Sequence, residues 1–412
     1  MSDIRPFRAV RPAKGYESKI AALPYDVYSS LEAREVVKGK PDLFLNIDRP
    51  ETAFPVDQDM YAPEVYAHAK KVLDQMMEDG RFIQDTKPCY YLYRLTMDGR
   101  EQTGFVAAAS IWDYDNGIIK KHENTRADKE EDRIRHVDTC DAQTGPIFLA
   151  YRRQEVLAGI MDKYVKSVTP DYDFTSEDGI SHTGWLICDE GEIQTIQDAF
   201  SSMNEIYIAD GHHRCASACK VGLKRAKENA AHTGNEEYNY FLCVLFPEDQ
   251  LKIMDYNRVV KDLNGYTCEE FIAKVSEIFD VTKKEAAVHP TKKGEFGMYL
   301  NGSWYLLENK KHVSDDPVKG LDVSVLQDEL LEPVLAIHDP KTDKRIDFVG
   351  GIRGLGELEK RVNEGAAVAF SMYPTAITEL FDVADAGLLM PPKSTWFEPK
   401  LRSGLYIHHL SK

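Results

Sequence analysis

The stretch NEIYIADGHHRCASACKVGLKRAKENAAH, Asn204 to His232, changes its periodicity partway along. From Asn204 to Ala209 polar and apolar residues alternate, the period of a strand with one buried face. Beyond Arg214 the apolar residues return at Ala216, Cys219, Leu223 and Ala226, the spacing of a helix face. Asp210 and Gly211 therefore occupy a strand-to-helix turn, and the apolar run YFLCVLFP, Tyr240 to Pro247, supplies the next strand. Glycine at such a turn opens backbone angles closed to other residues and lets a ligand approach the chain. The free amides of the new helix point at an anion, so the turn suits phosphate. Arg214 adds a permanent planar cation, and His212 and His213 add two groups able to donate or exchange protons.

A plainer reading makes Asp210 a helix cap, the histidines solvated surface groups, and Arg214 the partner of an acid one turn away. A metal held by His212 and His213 alone is disfavoured, because adjacent helical residues point about 100 degrees apart.

Outward from this junction the chain reads as mixed α/β. Ser29 and Ser30 open a helix that closes at Gly39, and Tyr61 to Gly80 is a long amphipathic helix. CYYLYRLTMDGREQTGFVAAASI reads as two strands turning at Asp98-Gly99. PIFLAYR is a buried strand, a helix starts at Gln154, and GWLICDEGEIQTIQDAFSSM is a strand, a turn and a helix. Past Asn257, YTCEEFIAKVSEIF is helical and FGMYLNGSWYLLEN is a hairpin turning at Asn301-Gly302. The organisation expected is a catalytic region over 1–262, a smaller α+β unit over 263–344, and a C-terminal segment over 345–412 that returns toward the site.

Composition limits the function classes. With 412 residues, 43% hydrophobic and 29% charged, the chain can bury more than one core. No apolar run approaches the roughly 18 residues of a membrane span, and MSDIRPFRAVRP lacks the apolar segment of a signal peptide, so a cytoplasmic, membrane-free protein is expected. Seven cysteines without a CxxC pair read as reduced core thiols. A net charge of -17 argues against a nucleic-acid partner, since phosphate backbones are captured by basic surfaces. The expected partners are small molecules; the oligomeric state is left open.

Two further clusters carry chemistry. In KHENTRADKEEDR, Glu123 and Asp132 can supply a base or magnesium ligands, while His122, Thr125, Lys129 and Arg133 can hold phosphate oxygens. A solvated helix laced with charge pairs is the competing reading. In the tail, Lys393, Ser394, Thr395, Lys400 and Arg402 surround two proline-containing segments that can fix cations over a site or merely strap the C-terminus down. No Walker GxxxxGK[ST] and no Rossmann GxGxxG is present, and GGIRGLG at Gly350 to Gly356 has the wrong spacing.

The DGHHR turn resembles the signature of the ParB and sulfiredoxin superfamily, in which such a turn opens a helix over a nucleotide or phosphoryl group. Together with RAVRP (Arg8–Pro12), PYDVYS (Pro24–Ser29), HENT (His122–Thr125), KEEDR (Lys129–Arg133), YNRVVKDL (Tyr256–Leu263) and PPKSTWFEPKLRSGL (Pro391–Leu405), it resembles a bacterial family catalogued as domain of unknown function ten-fifteen. The resemblance implies a ParB/sulfiredoxin-like mixed sheet with helices, α/β to α+β, plus a smaller C-terminal α+β unit. It also implies a pyrophosphate-dependent kinase of free L-serine, with Mg2+ and with pyrophosphate or a nucleotide as co-substrate. Sulfiredoxins place a cysteine immediately before His-Arg; here His212 fills that place and Cys215 follows Arg214, which disfavours sulfinic acid repair. An acidic chain without a basic recognition helix likewise disfavours a ParB-like DNA role.

On this reading Asp210, Glu123, His212 and His213 are the catalytic candidates. Asp210 serves as magnesium ligand or proton acceptor, with Glu123 the competing base and Asp132 a second metal ligand. Gly211, Arg214, His122, Thr125, Lys129, Arg133, Lys393, Ser394, Thr395 and Lys400 are the phosphate candidates. A noncatalytic phosphate- or nucleotide-sensing module is the alternative, since it needs the anion contacts but no base.

Overall fold

Asp98 and Gly99 both adopt positive φ, 52° and 75°, so the turn between them follows the right-handed twist of the strands it joins. That hairpin lies within a nine-stranded mixed sheet in the computed structural model, which describes residues 1–311 and 314–411. In chain order the strands are β1 (Ile4–Arg5), β2 (Tyr90–Met97), β3 (Arg100–Ser110), β4 (Ile119–Lys120), β5 (Ile147–Tyr151), β6 (Tyr172–Thr175), β7 (Ser181–Ile187), β8 (Ile206–Asp210) and β9 (Tyr240–Pro247). Their spatial order is β4-β8-β5-β9-β3-β2-β7-β6, with β1 paired to β3. β8 runs antiparallel to β5 and β5 parallel to β9, so the strands flanking the histidines run in opposite senses with another strand between them.

The chain forms two compact units, Met1–Leu251 with Pro399–Lys412, and Lys252–Glu398. The first contains the nine-stranded sheet and three helices that bear on the site: α1 (Pro63–Glu78), α2 (Ala127–Cys140) and α3 (His212–Glu228). Of the helix positions read after Arg214, Cys219 enters the apolar cluster of Leu149, Ile208 and Phe241 and Leu223 packs against it, whereas Ala226 packs against a separate cluster; Cys215 and Ala218, outside that reading, also enter the first. Emptying one such position, as in Phe241→Ala, costs about 3–5 kcal/mol through lost transfer energy and the cavity left behind. The early helix spans Ser30–Val37 and begins with the expected serine, Ser29, in a reciprocal capping box with Glu32.

The second unit is an antiparallel six-stranded sheet. Its strands are β10 (Tyr256–Val260), β11 (Phe279–Lys284), β12 (Glu295–Leu300), β13 (Ser303–Asn309), β14 (Ile346–Gly350) and β15 (Val368–Met372), in the order β11-β13-β12-β15-β10-β14. The hairpin expected at Asn301-Gly302 joins β12 to β13. The unit boundaries fall elsewhere than the 262/263 and 344/345 divisions expected from sequence texture. Hydrogen bonding is the reason: β10 pairs with both β14 and β15, so segments from both sides of those divisions share one sheet.

One cysteine pair also departs from expectation. Cys89 and Cys188 form a disulfide, while the other five cysteines are free. The antiparallel register of β2 and β7 sets Tyr90 opposite Ile187, which brings Cys89, just before β2, against Cys188, just after β7, across 99 positions of sequence. No spacing rule reaches that far. No helix among the described residues is long and apolar enough to cross a membrane.

Candidate functional site at the strand-to-helix junction

The ladder between β8 and β5 shifts register between Ile208 and Asp210, so the chain leaves the sheet at Asp210. Gly211 then turns left-handed, φ 93° and ψ 32°, as the N-cap of α3. A side chain there would be strained by φ, and its Cβ would lie 3.1 Å from Nε and Nη2 of Arg214. The guanidinium thus folds back over the bare turn, and its Nη1 donates to the Pro146 carbonyl. Gly211, not Asp210, caps the helix, and Arg214 donates to a carbonyl and borders the turn while its charge also acts on Asp210, the acid one turn before it.

Asp210 accepts from the Gly211 amide at 2.9 Å and meets Lys400 Nζ at 3.1 Å, with its side chain one-third exposed (33%). Burial pushes the carboxyl up, but the charges of Lys400 and Arg214 outweigh it and hold Asp210 well below the usual carboxylate range. It is an anion throughout the neutral range.

Beside it the His122 and His212 rings meet edge to face, centroids 4.4 Å apart. His212 Nε2 accepts from the His122 main-chain N–H at 3.4 Å, which leaves the proton on Nδ1, 3.9 Å from Oε2 of Glu123. Burial brings His122 down to about 4, against the opposing attraction of Asp210, and its Nδ1 has no partner although the residue is 1% exposed. Burial and the neighbouring His122 also put His212 well below the usual imidazole range. Both rings are neutral at pH 7. His213 is half-buried and accepts from the Arg126 amide at 3.0 Å; burial lowers it too. One firmly ionised carboxylate, a second carboxylate at Glu123 and neutral imidazoles therefore share one end of β8.

The KHENTRADKEEDR candidates divide. His122 and Glu123 reach the junction. Thr125 donates to Glu130, a buried carboxylate that also takes Lys220, and Lys129 stands half-buried in the first turn of α2. Asp132 accepts from Tyr66 Oη at 2.8 Å and from Arg133 Nε at 3.0 Å, so both its oxygens are engaged. Arg133 also stacks over the Tyr25 ring at 4.0 Å. Arg133 and Arg214 line one cavity of about 30 Å³ with Asp48, Thr144 and Ser403. Asp48 and Thr144, joined by a 2.8 Å hydrogen bond, carried no signal in the sequence; Tyr25 was marked only by PYDVYS.

The tail divides as well. Lys400 belongs to the segment Pro399–Lys412, which bridges Ala22 through Ser403 and pairs His408–His409 with Ala142–Gln143. Lys393, Ser394 and Thr395 belong to the other unit. Among the described residues no group of three His, Cys, Asp or Glu side chains is placed to hold a metal.

No curated protein matches the chain. Among solved structures it is similar to a free serine kinase in complex with AMP, at 16% identity over 70% of this chain and 88% of that one, with a TM-score of 0.35. It is also similar to a conserved hypothetical protein from Pyrococcus furiosus, at 17% identity, 70% and 91% coverage and a TM-score of 0.33. SbnI with C-terminal truncation from Staphylococcus aureus shares 10% identity over 73% of this chain and 86% of its own, at a TM-score of 0.37. Over residues 4–324 the sequence matches the family model described as Protein of unknown function (DUF1015), and the chain belongs to that family.

Proposed function

We propose that the chain is a phosphotransferase that moves a phosphoryl group between pyrophosphate and the hydroxyl of free L-serine. The observation that carries the reading is the Asp210 carboxylate, kept ionised by Lys400 and Arg214 beside two buried neutral imidazoles. Donor and acceptor rest on the family resemblance of the motifs. In the forward direction the serine oxygen bonds to phosphorus, the bridging P–O bond breaks toward inorganic phosphate, and the hydroxyl proton leaves to a base. Such a reaction asks the protein mainly for positioning and for neutralisation of charge.

Roles follow from the electrostatics. A carboxylate held far below its usual range is a weak proton acceptor, so Asp210 orients the cations and Glu123 takes the hydroxyl proton. His212, its proton on Nδ1, faces the Glu123 carboxylate across 3.9 Å. Arg214 offers paired donors to the transferred group, with the Gly211 turn leaving room for it. Mg2+, when bound, would neutralise donor charge; it commonly takes one or two carboxylates and completes its shell with phosphate oxygens and water. Asp210 is the residue to hold it: its oxygens meet the Gly211 amide and Lys400 but its side chain stays one-third exposed, whereas Asp132 is buried between Tyr66 and Arg133.

The test is direct. Purified full-length chain is mixed with L-serine, Mg2+ and pyrophosphate, ATP or ADP, and O-phosphoserine is sought by phosphorus NMR. Formation with pyrophosphate supports the reading; none with any donor, and no serine released from O-phosphoserine and phosphate, rejects it.

A further inference from the structure

Arg258 lies in the middle of β10, 4% exposed, and its partners are the main-chain carbonyls of Tyr256 and Lys393. No carboxylate of the described residues reaches it, and burial alone brings the guanidinium down to about 10. Every other buried arginine named above has an acid or a turn to answer. A permanent cation placed in a sheet without counter-charge is the inverse of an anion's needs.

The surroundings gather parts of three motifs that lie outside the Asp210 site. Strand alternation sets Tyr256 and Arg258 on one face of β10, opposite Gly350 and Phe348 of β14. Asp255 and Asn257 take the other face, where Asp255 is hydrogen-bonded to Asn257 at 2.6 Å. Trp396 covers Gly350 so closely that a Cβ there would come within 2.9 Å of the indole, and it meets the Tyr256 ring edge-on at 5.1 Å. Lys393 holds a left-handed backbone, φ 59°, costly for a side chain of its size, and points its exposed ammonium over the Tyr256 ring at 5.8 Å. YNR at Tyr256 to Arg258, Gly350 of the GGIRGLG stretch and PPKSTW thus meet around two cations, one buried and one at the surface.

We propose that the unit Lys252–Glu398 binds a small phosphate-class anion between the Arg258 guanidinium and the Lys393 ammonium. The surface ammonium captures the anion, and the buried guanidinium, whose Nη1 and Nη2 are steadied by the Tyr256 and Lys393 carbonyls, adds its uncompensated charge from beneath. The proposal does not depend on the phosphotransfer reading, whose failure would appear as missing O-phosphoserine rather than missing binding.

Calorimetric titration of the full chain with inorganic phosphate and with pyrophosphate, at fixed ionic strength, tests it. Lys393→Ala and Arg258→Gln are each expected to weaken the affinity for at least one of these anions by about tenfold or more. Lys393→Ala, altered only at an exposed head group, decides the matter should Arg258→Gln not fold. A parent that binds neither anion at millimolar concentration, or a Lys393→Ala chain that binds both as the parent does, overturns the proposal.

Discussion

Asp132 and Asp210 are carboxylates of the same unit, each beside an arginine and each held below the usual range, yet they serve opposite ends. Asp132 is 7% exposed, and the Tyr66 hydroxyl and Arg133 consume its oxygens. Asp210 stays one-third exposed, at a turn stripped of side chain by Gly211 and flanked by a single lysine. A depressed carboxyl therefore marks partnership, not function. What separates a buried strut from a candidate reaction centre is a face left open beside the charge.

The comparison breaks most easily at the strut. Removing Asp132 strands Arg133 in the interior, and breaking a buried pair costs about 3–5 kcal/mol. Asp132→Ala is thus expected to lower the urea midpoint steeply while each folded molecule keeps its turnover. An Asp132→Ala chain of parental stability that has lost turnover would reverse the two roles.

Acid sharpens the same contrast. A histidine that titrates near 6.5 when unfolded and about 4 when folded gives a stability contribution that is full above pH 6.5 and is lost as pH falls toward 4. For His122 the loss is up to about 3 kcal/mol over that window, since each pKa unit is worth roughly 1.4 kcal/mol. His122→Gln should flatten the fall in urea-denaturation stability between pH 6.5 and 4; an unchanged slope would remove His122 as its source. The contribution of Asp210 has the same sign but a lower window, being lost only as pH drops below the carboxylate range.

Third in size is Asp210 itself. Asp210→Asn keeps the shape and removes the charge that holds Lys400, so turnover per folded molecule should fall roughly 100-fold, about 2.7 kcal/mol, alongside a lower melting temperature from the lost counter-charge. Glu123→Gln should also cut turnover while leaving donor affinity near parental, as befits a proton acceptor. Undiminished turnover in Asp210→Asn would end its assignment, and undiminished turnover in Glu123→Gln would end that of Glu123.

Much of this was legible in the residues. The change of period at Asp210-Gly211 announced the junction, and the Asp-Gly and Asn-Gly pairs announced two hairpins, because each signal is local. The Lys400 contact with Asp210 spans 190 positions, and nothing in PKLRSG says which acid it will meet. KEEDR was ambiguous for a related reason: a helix can turn a charge inward or outward, and Asp132 is committed by its neighbour Arg133 together with Tyr66, which arrives from α1. The tail looked like one cluster, but the division at 398/399 follows from packing that composition does not encode.

Arg214 gives the smallest and most discriminating test. Both arginines that line the cavity keep their charge when replaced by lysine, but each loses the planar fork. For Arg133 the fork serves Asp132 and the Tyr25 ring, so Arg133→Lys should cost stability and leave kinetics intact. For Arg214 the Pro146 carbonyl takes only Nη1, while Nε and Nη2 border the open turn at Gly211. If those two atoms hold the transferred phosphoryl, Arg214→Lys should raise the KM for the donor or lower kcat by about tenfold, roughly 1.4 kcal/mol. The KM for the acceptor and the melting temperature should stay near parental. Donor kinetics that match the parent would show that the fork over Gly211 braces the turn instead, and the difference between the two arginines would then be one of exposure alone.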